Sequence, residues 1–249
     1  MNIIVLMKRV PDLVEDLEVD DTGKALDSEY LKLTLSEFDD HALEEALLLK
    51  ESGGGKVTVV ALDDEGVDKM LFTALAKGAD QAVKISGAGN IDGNLQLARI
   101  FTQVIGQQPH DLILTGVQAA DDRDGQLAPT VAALLDVPCI EVVTGVTPGE
   151  GQVTLHKEYA GGVLAEFEVD LPAVLGIQAA RQTPRYAPVS KVRQVQDSTT
   201  IERVADASGS VSSEFEVVVM TPPETGEGAQ MLTGVDELLE ILETKGVIG

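Results

Sequence analysis

Residues 112–135, LILTGVQAADDRDGQLAPTVAALL, hold the residue types in this chain best suited to binding chemistry. An apolar strand ends at Gly116, a polar loop follows, and a helix is predicted to open near Gly125. Open α/β sheets bind ligands at the carboxyl ends of their parallel strands. Gly116 and Gly125 permit a close backbone approach, and the amides of a helix start can hold phosphate or ribose oxygens. Asp121, Asp122 and Asp124 would repel a phosphate placed directly beside them, so they fit better as helix caps or as acceptors from ribose hydroxyls. The competing reading is a capped surface loop. Neither GxGxxG nor a Walker lysine motif occurs, which removes the main support for a dinucleotide dehydrogenase or an ordinary ATPase. The triplet Gly53-Gly54-Gly55 follows a helix and precedes a strand, the reverse of a phosphate loop, and reads as structural.

Other chemistry is thinly supplied. Cys139 is the single cysteine, so the chain forms no internal disulfide and no cysteine-based cluster by itself, in keeping with a reducing cytoplasm. His41, His110 and His156 lie far apart and in no metal-ligand spacing, and no metal is assigned. A formal charge of −24 argues against nucleic acid or an anionic membrane surface as partner. Apolar runs such as Ile3 to Met7 and Leu171 to Ile177 fall far short of the roughly 20 residues of a membrane span. The opening MNIIVLMKRVPD lacks a basic region before its apolar run and reads as a strand, not a signal peptide. Between Arg181 and Arg203 the balance reverses, with Arg181, Arg185, Lys191, Arg193 and Arg203 against Asp197 and Glu202.

The elements that must position the loop are well signalled. Apolar runs at Ile3 to Met7, Val57 to Leu62, Ala82 to Ile85, Leu112 to Leu114 and Cys139 to Val143 alternate with helix-like stretches, the pattern of βαβ units in a mainly parallel sheet. Ser36-Glu37-Phe38-Asp39 reads as a capping box opening a helix through Lys50, and Val67 to Lys77 as a second helix closed by Gly78. Glu18 to Asp27 reads as a small excursion. From Gln152 the alternation changes to period two, turns at Gly161-Gly162 and returns through Val169, which predicts an antiparallel hairpin. Residues 180–230 show little helical periodicity and read as an extended arm, with a helix only near Val235 to Lys245. The expected organisation is an α/β nucleotide-binding domain over 1–180 and a partner-wrapping C-terminal arm over 181–249.

Several ordered motifs then converge. Gly161-Gly162, Leu171-Pro172-Ala173-Val174-Leu175 and Pro184-Arg185-Tyr186 together resemble the signature of the beta (small) subunit of electron-transfer flavoproteins. The likeness continues in Val5 to Val10, Ala42 to Ala46, Thr73 to Asp80 and Gly116-Val117-Gln118-Ala119, and so runs through nearly the whole chain. The resemblance implies a Rossmann-like fold of the adenine-nucleotide α-hydrolase kind. It implies a heterodimer with an alpha subunit that holds most of an electron-carrying FAD, while the beta subunit buries AMP or a second FAD. Such a protein carries electrons between flavin dehydrogenases and a quinone reductase or other acceptor, and is not an enzyme complete in itself. Carried over residue by residue, the nucleotide pocket comprises Leu6, Ser36, Glu37, Phe38, Asp39, Leu62 and the stretch from Leu112 to Leu127. Within that stretch stand Gly116, Gln118, Ala119, Asp121, Asp124, Gly125, Gln126 and Leu127. The docking segment comprises Arg185, Tyr186, Val189, Lys191 and Arg193.

Two departures bear on the expectation. Gly125 and Leu127 stand where AMP-binding members carry an Asn and a Thr. Gln126-Leu127-Ala128-Pro129 is similar to the electron-bifurcating form, though Asp122-Arg123-Asp124 replaces its Gly-Asp-Thr. The balance favours a second FAD and leaves bifurcation open. In the docking segment Val189 takes the place of a leucine, Gln182 that of an Asn, and Lys191 and Arg193 are what remains of a lysine-rich run, which implies a dehydrogenase partner other than the common acyl-CoA dehydrogenases. The alternative is a stand-alone adenine-nucleotide module or hydrolase of the universal-stress or ATP-pyrophosphatase type, which would require a glycine-rich phosphate loop that the sequence lacks.

Overall fold

The structure is a computed structural model that describes residues 1–88, 91, 93–122, 124–207, 216–224, 226 and 228–248. Its centre is a run of short apolar strands: β1 (Asn2–Leu6), β4 (Lys56–Leu62), β5 (Gln81–Ser86), β6 (Leu112–Gly116) and β10 (Ala173–Ile177). These are buried on both faces, as strands of a parallel sheet covered on both sides must be. In the sequence between β1 and β4 comes a separate two-stranded antiparallel ribbon of β2 (Arg9–Pro11) and β3 (Leu33–Leu35).

Helices α1 (Glu37–Gly53) and α2 (Val67–Lys77) cover one face, against Ile3, Val5, Met7, Leu112 and Leu114. Helices α3 (Asn94–Ile105) and α4 (Leu127–Leu135) cover the other, against Ile4, Leu6, Val60, Ile113 and Val174. The alternation along β1 assigns each side chain to its face.

Three antiparallel-linked strands extend the sheet: β7 (Cys139–Pro148), β8 (Gln152–Tyr159) and β9 (Val163–Asp170). With β11 (Glu202–Ala205) at the far edge, the order is β11-β5-β4-β1-β6-β10-β7-β8-β9. The chain runs outward from β1 through β4 and β5 and then returns to β6 on the opposite side of β1. The strand order therefore reverses between β1 and β6, and the crevice at their carboxyl ends is the topological switch point.

The sequence expectations for β1, β4, β5, β6, the hairpin and α2 agree with these elements. Three others are corrected. Ser36 makes no side-chain cap to α1; its N–H donates to the Lys8 carbonyl, and Asp39 turns to other donors. Helix α4 begins at Leu127 and not at Gly125, which holds φ +61 in the loop before it. Residues 180–230 are not uniformly extended, because α5 (Val189–Ser198) starts where Lys191 and Val192 donate to the Pro188 carbonyl, and β11 pairs in parallel with β5. Helix α5 rests on α2 through little more than the half-buried Val192 and Val195, a stripe too sparse to register as helical periodicity, and valine itself is a weak helix former. The terminal helix α6 (Val235–Thr244) forms as expected and buries none of its residues.

Candidate functional site

The crevice between β1 and β6 is closed by a single carboxylate. Asp39, in the first turn of α1, is 3% exposed; its Oδ1 accepts the Gly116 N–H and its Oδ2 the Lys8 N–H, each at 2.8 Å. The two strands part at this point, so the bonds occupy backbone donors that no ladder partner takes. Burial pushes the Asp39 carboxyl up to about 7, with the negative charge of Asp121 acting in the same direction, against the two N–H bonds and the Lys8 ammonium. Gly116 is required beside it: a Cβ there would stand 2.6 Å from Asp39 Oδ1 and 2.6 Å from Phe38 Cβ. Through Asp39 the start of α1 is fixed to the ends of both switch-point strands.

From Gly116 the chain enters the loop singled out by sequence. Ala119 and Asp122 exchange backbone hydrogen bonds of 3.1 and 3.0 Å, which folds the loop back on itself. Lys8 Nζ reaches from the turn after β1 to Asp121 Oδ1 at 2.7 Å. Asp122 Oδ1 accepts the Asp124 N–H at 3.2 Å. None of these aspartates caps α4, whose N-cap is Gln126 without a side-chain bond, so the capping role expected for them is not found. Arg123 lies outside the described residues.

Gly125 holds φ +61, and a Cβ there would stand 2.7 Å from the Val117 carbonyl oxygen, so glycine is needed both for conformation and for room. The first intrahelical bond of α4 runs from Thr130 N–H to the Gln126 carbonyl at 3.1 Å. The Leu127 and Ala128 amides precede it and Pro129 brings no N–H, which leaves a helix start with donors to offer a ligand.

The structure thus brings Ser36, Phe38, Asp39, Gly116 and Asp121 together with Lys8 and sets Gly125 and Gln126 at the end of the same loop. Leu6 and Leu127 are buried in the core shared with α3 and α4, with Leu62 packed against it, so they form the apolar floor under this end of the sheet. Glu37 is exposed and makes no such contact. A separate cleft of about 270 Å³ lies on the α1–α2 face beneath the β2–β3 ribbon, floored by Met7, Leu43, Met70 and Ala74, and no residue of the 116–127 loop lines it. Cys139 offers no nucleophile, since burial pushes its thiol up to about 12. Among the described residues no cluster of His, Cys, Asp and Glu could hold a metal ion.

The pattern of the electron transfer flavoprotein domain matches residues 25–209. The electron transfer flavoprotein subunit beta of Methylophilus methylotrophus is 34% identical over 94% of this chain and 93% of its own length. The subunit beta of Bacillus subtilis is 36% identical over 75% of this chain and 72% of its own. The mitochondrial subunit beta of Arabidopsis thaliana is 31% identical over 98% of each. The chain belongs to the electron transfer flavoprotein beta-subunit family.

As an electron transfer flavoprotein beta chain, it carries a second group of predicted residues at the start of its C-terminal segment, and sequence reasoning missed what holds that group. The buried Glu44 accepts the Arg185 N–H at 2.9 Å and the Arg185 guanidinium at 2.8 to 3.0 Å. Glu51 takes the other side of the same guanidinium, at 2.5 Å from Nη1. Glu45, 0% exposed, accepts Arg181 Nε at 2.7 Å, the Arg181 N–H at 2.9 Å and the Val146 N–H at 2.9 Å. His41 Nδ1 accepts the Ala180 N–H at 3.2 Å.

Arg185, expected to face a partner, is therefore turned inward onto α1. Arg203 pairs with Asp63 at 2.5 Å. Three of the five cations in the locally basic segment are thus spent within the chain, and Lys191 and Arg193 stay exposed on α5 without an ion pair among the described residues. Tyr186 and Val189 are exposed beside them, by 79% and 59%. The signal for the clamp was in the sequence: Glu44 and Glu45 stand in tandem on the apolar face of α1, where an acid persists only if paired.

Proposed function

We propose that this chain is the beta half of a heterodimeric electron carrier. It pairs with an alpha subunit that holds most of an FAD, and itself buries an adenine nucleotide at the β1–β6 crevice. Electrons pass between flavin dehydrogenases and a quinone reductase or other acceptor, and no residue of this chain serves as general acid or base. The observation that carries the reading is the coincidence of three features at one switch point: the Asp39 bridge between Lys8 and Gly116, the loop folded by Ala119 and Asp122, and the open amides at the start of α4. The stand-alone hydrolase reading has no comparable support, because neither a GxGxxG nor a Walker lysine motif occurs in the sequence.

The residues present fit an adenine nucleotide. Lys8 pairs with Asp121, which offsets one of the negative charges near a phosphate held at the Leu127 and Ala128 amides. The bound flavin supplies one- and two-electron redox chemistry; this chain's residues bind, orient and enclose it. Leu127 is part of the core and Gly125 has no side chain, so the phosphate is held by backbone alone. That arrangement favours a second FAD over AMP, since it imposes no side-chain anchor fitted to one terminal phosphate.

Docking of the dehydrogenase falls to Tyr186, Val189, Lys191 and Arg193, with Arg185 shaping the segment from within. The stretch from 181 onward wraps the alpha subunit: α6 exposes Val235, Leu238 and Leu239, and Val217 to Met220 are likewise exposed. No helix among the described residues is long and apolar enough to cross a membrane, in keeping with a cytoplasmic carrier. The test is to purify the heterodimer, denature it and quantify the released nucleotides. About two FAD and no AMP is the expected result; one FAD and one AMP overturns the preference for FAD, and one FAD with no second nucleotide overturns the site.

A further inference from the structure

Strand β7 is distorted at one point that the proposed carrier function leaves unexplained. Val142 holds φ +64, a conformation costly for a β-branched side chain. The register with β10 shifts there, from Gly176 opposite Glu141 to Ile177 opposite Val143. A bulge of this kind re-aims the neighbouring side chain. Glu141, alternating with Ile140 and Val143, falls on the α4 face of the sheet, the face of Cys139 and Val174.

The Glu141 carboxylate lies over Gly176: a Cβ at 176 would stand 3.2 Å from its Cγ and 3.4 Å from Oε1. Oε1 is buried and has no hydrogen-bond partner among the described residues. Strain, a glycine clearance and an unsatisfied carboxylate oxygen at one place are expensive together, and buried polar atoms without partners are rare. Burial pushes the Glu141 carboxyl up, Lys157 opposes this and Asp122 adds to it. Lys157 does not bond Glu141 and instead stands 5.5 Å from the centre of the Tyr159 ring.

Gly176, beneath Glu141, directly precedes Ile177, whose carbonyl accepts the Val117 N–H at 3.0 Å where the loop to α4 begins, so Glu141 borders that loop on the β10 side. A phosphate beside two carboxylates is disfavoured, and the phosphate has the α4 amides. The group bonded directly to that phosphate is the sugar, whose hydroxyls are donors. We propose that Glu141 is the acceptor for a ribose hydroxyl of the bound nucleotide, its carboxylate rotating off Gly176 to present the unpaired oxygen. The inference rests on the nucleotide site proposed above. Glu141 then sets the preference for a hydroxylated sugar, and Gly176 keeps the space from which it acts.

The test uses the alpha–beta heterodimer stripped of its nucleotide in this subunit, with AMP, 2′-deoxy-AMP, 3′-deoxy-AMP and inosine monophosphate titrated calorimetrically. One hydrogen bond to a charged acceptor is worth about tenfold in affinity, so the wild type binds AMP about tenfold more tightly than one of the deoxy forms. In Glu141→Ala that ratio falls to about one. Glu141→Gln, of the same shape, lowers it to a few-fold. An unchanged ratio in Glu141→Ala and Glu141→Gln, with AMP still bound, overturns the role of Glu141 and leaves the nucleotide site standing. A variant that loses discrimination against inosine monophosphate while keeping it against the deoxy sugars places a base contact here and also overturns the proposal. Failure of the wild type to bind AMP or FAD at all is the distinct result that overturns the site.

Discussion

Asp39 makes a pH-dependent contribution to folding whose sign follows from its burial. Its folded-state value of about 7 lies above that of an unfolded aspartate, 3.8. Between those values the folded protein keeps a proton that the unfolded chain has lost, so stability falls as pH rises through the window and is level above it. At 1.36 kcal/mol per unit the full effect is roughly 4 kcal/mol, more than half of which is lost between pH 5 and pH 8. Asp39→Asn removes the titration. It also sets an amide donor against one of the two backbone N–H groups, a pH-independent cost of about 1–3 kcal/mol. Urea unfolding of both proteins at pH 5, 6, 7 and 8 gives the comparison, and subtracting the variant curve removes the other acids, which the two share. The wild-type advantage should shrink by roughly 2–3 kcal/mol from pH 5 to pH 8. A difference that is flat with pH shows that the bonds from Gly116 and Lys8 hold the carboxylate ionised throughout, and refutes the reasoning.

Gly116→Ala forces a methyl to within 2.6 Å of both Asp39 and Phe38. It should cost about 2–4 kcal/mol of stability in denaturant unfolding and reduce nucleotide retention, because the overpacked group is the bridge itself. Val189→Ala, or charge reversal at Lys191 and Arg193, should slow electron transfer from the cognate dehydrogenase with flavin content unchanged. Stopped-flow reduction at several ionic strengths separates the two, since the charges act on association and their effect disappears in salt. Amides of α6 and of Val217 to Met220 should exchange rapidly in the isolated chain and slowly in the heterodimer, whereas those of Arg181 to Arg185 should be protected in both; equal protection of α6 in the two states would exclude the wrapping role.

Much of this architecture is legible in sequence because the central strands are buried on both faces and leave unbroken apolar runs, as in Ile3 to Leu6 and Val57 to Ala61. The loop after β6 is legible because its glycines and aspartates stand between a buried strand and an apolar helix. What sequence does not reveal are the pairings. Asp39 reads as a capping-box member, but two N–H groups from strand ends 31 and 77 residues away compete for it and win, leaving Ser36 without its reciprocal partner. Arg185 reads as a docking cation within a basic stretch, because nothing local shows that Glu44 and Glu51 face it from 141 and 134 residues away. Helix α5 is hidden by a polar composition and β-branched residues, and its existence depends on the surface of α2. The bulge at Val142 carries no signal in residue type, since valine is what an undistorted strand would have.

One helix links the two ends of the proposed function. At its first turn α1 places Asp39 in the β1–β6 crevice; along its length His41, Glu44, Glu45 and Glu51 hold the chain from Ala180 to Arg185, immediately before the exposed Tyr186 and Val189. Twelve residues separate Asp39 from Glu51, about 18 Å at 1.5 Å per residue. The docking segment is thus fixed to the same rigid element as the nucleotide crevice, although 69 or more residues of β10-side chain and loop separate it in sequence from Gly116. Buried acids are costly on an apolar helix face and are repaid only when paired, so Glu44 and Glu45 would be a liability in a chain that ended at β10. Their presence makes sense once the 180–185 segment must hold one position. On the proposed function, a dehydrogenase meeting Tyr186 and Val189 meets a surface already oriented relative to the β1–β6 crevice, and the negative charge of the rest of the chain leaves the exposed pair Lys191 and Arg193 as a local feature that an acidic partner can find.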